Sequence, residues 1–166
     1  MPPIRRLTDL EKTLELRYET LGEAEKDLAM TTNTFEITSI KQRIRERVLP
    51  DIRKCEAEYW QLLVEEARTC NVAEAEASDA IIEVVQEAEL IQSQPDKYPA
   101  ELMQKLQAIL DKLNKPGQLA AGKAKLVLSL IPGLVSYELE LDTESSLRRV
   151  FQPIKRMYKK AFDEGK

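Results

Sequence analysis

Histidine occurs nowhere in the 166 residues of this chain. Its absence removes Ser-His and Cys-His nucleophile pairs, histidine-ligated metal sites and the side chain whose ordinary titration falls near neutral pH. Cysteine is scarce as well, with only Cys55 and Cys70, too few to build the usual zinc constellation without histidine. Both lie in what reads as one long helix, where a ~1.5 Å rise per residue sets them about 22 Å apart, so they are expected to be free thiols. Glycine is limited to 5 residues, and neither G-x-x-x-x-G-K-[ST] nor G-x-G-x-x-G occurs, so a phosphate cradle has no candidate. Long apolar runs are missing too. The opening MPPIRR has no apolar h-region and no segment approaches the ~20 apolar residues that span a bilayer, which predicts a cytoplasmic protein.

What is present is the material of helices. Charged residues make up 33% and apolar residues 43%, with Leu, Ala, Glu and Lys on helical spacings, so an all-α chain is expected. The net charge of -4 hides an asymmetry. Residues 56–96 carry eleven acids against the single base Arg68, whereas residues 145–160 carry six bases and no acid. An acidic face argues against nucleic-acid affinity, which rests on Lys and Arg neutralising phosphates.

The first segment places Leu7, Leu10, Leu14, Leu21, Ala24 and Leu28 on steps of three and four, a heptad seam interrupted at Arg17. Thr8 and Glu11 read as a capping box at its start. TTNT breaks the helix after Ala29, and Asn33 with Glu36 caps a second one, expected to run from Thr34 to Thr69 with Ile37, Ile40, Ile44, Val48, Ile52, Cys55, Tyr59 and Leu62 on one stripe. Around Pro50 the apolar spacing switches to four-and-four, and a proline inside a helix removes a hydrogen bond and crowds the preceding turn. A kink is therefore expected near Glu46 to Pro50. Residues 1–70 read as a long antiparallel coiled-coil hairpin, and residues 71–166 as a small helical bundle ending in a basic helix.

Within that bundle, Asn71 with Glu74 should cap a helix ending near Gln92, with Val72, Ala75, Ile81, Val84, Val85, Ala88 and Ile91 inward. Pro99 should open the next, with Leu102, Leu106, Ile109, Leu110 and Leu113 buried, and NKPG should close it. A further helix is expected from Gln118 to about Leu130, interrupted by Pro132 and Gly133. Residues 134–141 suit either a short strand or a helical turn, and with no partner strand the reading favours helix or coil. Asp142 or Thr143 should cap the last helix, bent at Pro153, with Leu147, Val150, Phe151, Ile154, Tyr158 and Phe162 on its apolar face.

The carboxylates Glu65, Glu66, Glu74, Glu76, Glu83 and Glu87 are the only acid-base material in quantity, and without histidine they read as a solvated face. No catalytic residue, metal site or cofactor is expected. Two surfaces remain as functional candidates. The hairpin seam, with Leu10, Leu14, Leu21, Ile40, Ile44 and Tyr59, offers an apolar stripe for self-association or a partner, or else its two arms satisfy each other. The last helix sets Arg148, Arg149, Lys155, Arg156, Lys159 and Lys160 opposite an apolar face, a pattern of membrane-surface helices and of helices that close a bundle against an acidic neighbour. The apolar stretch 126–137 is too short to span a membrane and fits a buried core or an interfacial element.

The opening LEKTLELRYETLGEAEKDLAMTTNTFEITSIKQRIRERVL, through Tyr18, Leu21, Glu25 to Leu28, Thr31, Thr32, Lys41, Gln42 and Ile44, resembles the helical hairpins of effector-associated modules. Such modules stand beside STAND-type (NACHT or AAA) NTPases and caspase-like proteases in multicellular bacteria, notably cyanobacteria. The block SYELELDTE and the basic helix after it resemble a second helical region of the same kind of protein. The resemblance implies a non-enzymatic adaptor that recruits or oligomerises a signalling or conflict effector, with an NTPase or protease as partner. This chain departs from that setting in carrying no NTPase or protease domain of its own. The alternative expectation is a membrane-surface effector acting through the basic helix and residues 126–137.

Overall fold

The computed structural model describes residues 3–139 and 141–164, and among them the chain is all-α with no strand. The heptad leucines form α1, Pro3–Met30. Thr8, expected as a cap, lies inside this helix. After the break, Asn33 caps α2, Thr34–Arg43: its Oδ1 accepts from the N–H of Phe35 at 2.9 Å and of Glu36 at 3.2 Å. Glu36 itself accepts from the Thr31 hydroxyl at 2.7 Å, which fixes the turn from the other side.

The disturbance expected before Pro50 takes the form of a π-helical turn at Ile44–Val48, after which α3 runs Leu49–Ala67. The N–H of Leu49 reaches the carbonyl of Ile44, five residues back. Proline lacks an N–H and its ring crowds the carbonyl four residues before it, so a widened turn relieves the clash. The turn takes up an extra residue, and beyond it the inward stripe is Ile52, Glu56, Tyr59, Leu63 and Ala67. Leu62 and Cys55, expected on that stripe, are half-buried. Ion pairs set the direction of the hairpin: Arg6 meets Glu58, Arg17 meets Asp51 and Asp27 meets Arg43, so α1 and the α2–α3 arm run antiparallel.

The remaining helices are α4 (Glu74–Gln92), α5 (Ala100–Leu113), α6 (Ala120–Leu128), α7 (Ile131–Val135), α8 (Leu141–Val150) and α9 (Gln152–Glu164). Several boundaries differ from expectation for local reasons. Asn71 does not cap α4, which starts after Ala73 in extended conformation. Its buried alanines are Ala77, Ala80 and Ala88, while Ala75 is exposed and Val72 lies ahead of the helix. Gly117, at φ +87, supplies the left-handed residue that the turn before α6 needs. Pro132 falls in the first turn of α7, where its missing N–H costs nothing. Residues 136–139 are coil, and residue 140 lies outside the described residues, as do the side chains of Leu141 and Asp142. The last helix is not bent but divided at Phe151, with Pro153 in the first turn of α9.

A main apolar core gathers Leu7, Leu10 and Leu14 of α1 with Tyr59, Trp60 and Leu63 of α3 and with buried residues of every helix from α4 to α9. The core thus runs across residue 70, where the sequence suggests a boundary between hairpin and bundle. Only the outer half of the hairpin has a cluster of its own, made of Leu21, Ala24, Ile44, Val48, Leu49 and Ile52. The stretch 125–142 contributes Val127, Leu128, Ile131, Leu134 and Val135 to the main core. Trp60, fully buried, meets Tyr59 and Phe151 edge-on, with ring centroids 6.2 and 6.5 Å away. Leu63 lies where α1, α3 and the bundle share this core, so Leu63→Ala should cost about 2–5 kcal/mol. Urea unfolding followed by circular dichroism should show that loss within a single transition of the whole chain.

Candidate interaction surfaces

The hairpin seam is turned into the chain. Leu10, Leu14 and Tyr59 belong to the main core, Leu21 and Ile44 to the outer cluster, and Ile40 is half-buried against the latter. The two arms satisfy each other, so any apolar surface offered to a partner lies elsewhere.

Of the six bases in residues 148–160, Arg148 and Lys155 are turned inward, while Arg149, Arg156, Lys159 and Lys160 stay exposed. Glu56, 1% exposed on α3, takes the Tyr18 hydroxyl of α1, the indole N–H of Trp60 at 3.2 Å and Lys155 of α9 at 3.7 Å. Glu144, also 1% exposed, takes Arg53 of α3 in two contacts of 3.0 and 3.1 Å and Arg148 of its own helix at 3.2 Å. Arg148 stacks over the Tyr18 ring and Lys155 over the Tyr59 ring. Tyr59 donates to Glu11 at 2.9 Å, and Lys159 pairs with the other oxygen of Glu11 at 3.0 Å. Arg156 pairs with Glu83, and Lys160 with Glu76 and Glu164. Arg149 is exposed beside Glu83 and Glu87. Five of the six bases are thus held by carboxylates, three of them from α1 or α4.

Each buried carboxylate would be costly alone, because an ion withdrawn from water loses several kcal/mol of solvation unless charges and hydrogen bonds replace the lost water. Burial pushes the Glu144 carboxyl above its ordinary value, while Arg53 and Arg148 pull it back down. Burial and the neighbouring carboxylates hold the Tyr18 and Tyr59 hydroxyls protonated well beyond the ordinary phenol range, so both are donors at any physiological pH. Burial also raises both thiols, Cys55 and Cys70, which lie apart as free cysteines. Among the described residues no group of three or more metal-ligating side chains converges.

Three of the acids read as a solvated face have partners. Besides Glu76 and Glu83, Glu74 crosses to the start of α6, where its two oxygens accept from the N–H of Ala120 at 2.7 Å and Ala121 at 3.0 Å. Leu119 has no side chain with which to cap that helix, and the carboxylate supplies what it lacks.

Large apolar side chains are exposed in a few places. Phe35 is 83% and Met30 77% exposed, on either side of the hairpin turn, beside a shallow concavity of about 640 Å³ lined by Asp27, Thr31, Asn33, Glu36 and Ile40. Leu119, Leu126 and Leu130 emerge around α6, Ile82 and Leu90 on α4, and Leu16 on α1. The signal for Phe35 was available in the sequence: a phenylalanine directly after the polar run TTNT, in the first turn of α2, falls off the stripe of Ile37, Ile40 and Ile44. Glu56, Glu144, Arg53 and Trp60 carried no such signal, because spacing alone does not mark a charge as buried. Among the described residues no helix is long and apolar enough to cross a membrane. No protein-family model, curated protein or solved structure matches this chain.

The backbone N–H groups of Ala121 and Ala120 hold the Glu74 carboxyl below its ordinary value. A folded value below the unfolded one adds stability above the unfolded value, and that stability is lost as pH falls through the folded value. Glu74→Gln should therefore lower the midpoint of thermal unfolding at neutral pH. The difference from the parent should vanish as both are titrated into acid.

Proposed function

We propose that this chain is a non-enzymatic helical adaptor, a coiled-coil hairpin set on a helical bundle, that holds a partner protein by the tip of the hairpin. The observation that carries the reading is the exposure of Phe35 and Met30, the two most exposed large apolar side chains among the described residues, at the hairpin tip outside the main core. Aromatic side chains that fill a partner's pocket supply a disproportionate share of binding energy at protein interfaces. The capped turn presents Phe35 at low entropic cost, since Asn33 and Glu36 already fix the backbone around it. The resemblance of the hairpin sequence to effector-associated modules supports an NTPase or protease effector as the partner, met in the cytoplasm. A membrane-surface role through the basic helix has less support, because Arg148 is buried and Lys155 half-buried on carboxylates and the apolar face of the helix, with Ile154, Met157 and Tyr158, is in the core.

A photo-crosslinking phenylalanine analogue at position 35 tests this in cells. It should give a discrete adduct with a second protein, lost when Met30→Glu is added, while the thermal midpoint stays unchanged. An adduct pattern no different from that of the probe at exposed Glu23 would contradict the assignment.

A further inference from the structure

A second pair of surfaces, remote from the hairpin tip in sequence, carries complementary chemistry. Along α6, Lys123 and Leu126 lie on the outer side, with Leu119 just before the helix and Leu130 just after it at steps of four, three and four that continue the stripe. Leu119 is 72% and Leu126 49% exposed, and both lie outside the core that takes Ala124, Val127 and Leu128 from the same helix. The surroundings are basic: from Lys112 to Tyr137 the chain has the lysines 112, 115, 123 and 125 and no acid. On the outer side of α4, Ile82 and Leu90 are exposed at 52% and 62%, with exposed Asp79, Gln86 and Glu89 around them. That helix carries six acids and no base.

These two faces cannot meet within one chain. α4 and α6 already pack side by side through their buried faces, and Glu74 fastens one to the other, so their outer faces point away from the shared contact. Between copies, the pairing of α4 with α4 would set acid against acid, and α6 with α6 lysine against lysine. Only α6 on α4 joins apolar stripe to apolar stripe with opposite charges at the rim. An anionic lipid surface would suit the lysines of α6 but would leave Ile82 and Leu90 uncovered on an acidic helix.

We propose that copies of this chain associate head to tail, the α6 stripe of one copy seated on the α4 face of the next. Because the two faces of one copy point apart, such a contact leaves a free patch at each end and adds further copies, as a filament or a closed ring, rather than ending at a two-fold dimer. An adaptor of this form would multiply whatever its hairpin tip holds, but the contact itself does not depend on the tip.

Sedimentation velocity of the purified full chain, from micromolar to near-millimolar concentration and at low and high salt, tests the contact. The parent should show a weight-average sedimentation coefficient that rises with concentration at low salt and falls back as salt screens the rim charges. Leu126→Glu and Leu90→Lys each remove one patch at an exposed position, and each variant should sediment as a monomer with an unchanged circular dichroism spectrum. Mixing the two should restore a one-to-one complex and nothing larger, since one intact α4 face and one intact α6 stripe remain. Phe35→Glu should leave the association as it is. The proposal is overturned by a parent that stays monomeric throughout, by single variants that still associate, or by a mixture that stays monomeric or grows beyond pairs. It is equally overturned if Phe35→Glu abolishes association. Parent binding to phosphatidylserine vesicles that Leu126→Glu removes, without self-association, would assign the stripe to lipid instead.

Discussion

Glu56 and Glu144 are two carboxylates taken almost entirely out of water, and the way they are neutralised ties this molecule together. Glu56 sits on α3 and draws in a hydroxyl from α1 and an ammonium from α9. Glu144 sits on α8 and draws in a guanidinium from α3. Removing all the cationic partners of either carboxylate would leave a buried charge uncompensated, which typically costs about 3–5 kcal/mol, whereas the intact pairs give little net stability over an apolar core. Their value is in specificity. An apolar α9 could slide or rotate on the α1–α3 surface, but Lys155, Arg148 and Arg53 each have one place in which their charge is met.

The same constraint decides which surfaces are left for other molecules. The last helix lays its apolar face in the core, and the acidic helix α4 beside it meets Arg156 and Lys160 in pairs at the surface. On its other side Glu74 caps α6, so α4 stands between α6 and α9 and holds both. The interior therefore absorbs the heptad seam and, of the basic patch, Arg148 and Lys155. The large apolar side chains that stay outside, among the described residues, are at the hairpin tip, along α6, on the outer face of α4 and at Leu16 of α1. Contacts of this size suit reversible association, in which a few apolar anchors and rim charges act together.

Much of the fold was legible in the residues. Helix type and approximate length follow from apolar spacing, and the positions of Asn33, Pro99 and Gly117 mark real ends. The four-and-four spacing before Pro50 announced a disturbed turn, though not that it would be π-helical. The inward faces of α5 and α9 could be read directly, because their apolar residues recur without competition. Other features could not be read. Asn71 and Glu74 have the form of a local cap, yet Glu74 serves a helix 46 residues away, a choice that only tertiary proximity makes. Charge spacing marked α9 as amphipathic, but whether its bases face lipid, water or carboxylates depends on which helix it lands against. Apolar spacing marks the seam but does not say what covers it, since an arm of the same chain and an arm of another have the same chemistry.

Hydrogen exchange resolved by residue under native conditions tests most directly whether buried charge fastens the hairpin to the C-terminal helices. If it does, the amides of residues 56–63 in α3 and 154–158 in α9 should open with one common free energy, equal to that of global unfolding, while those around the hairpin turn exchange faster. Exchange of α9 by a separate opening of much lower energy, with α1 and α3 still protected, would show that the C-terminal helices are merely leaning on the hairpin and would contradict this account.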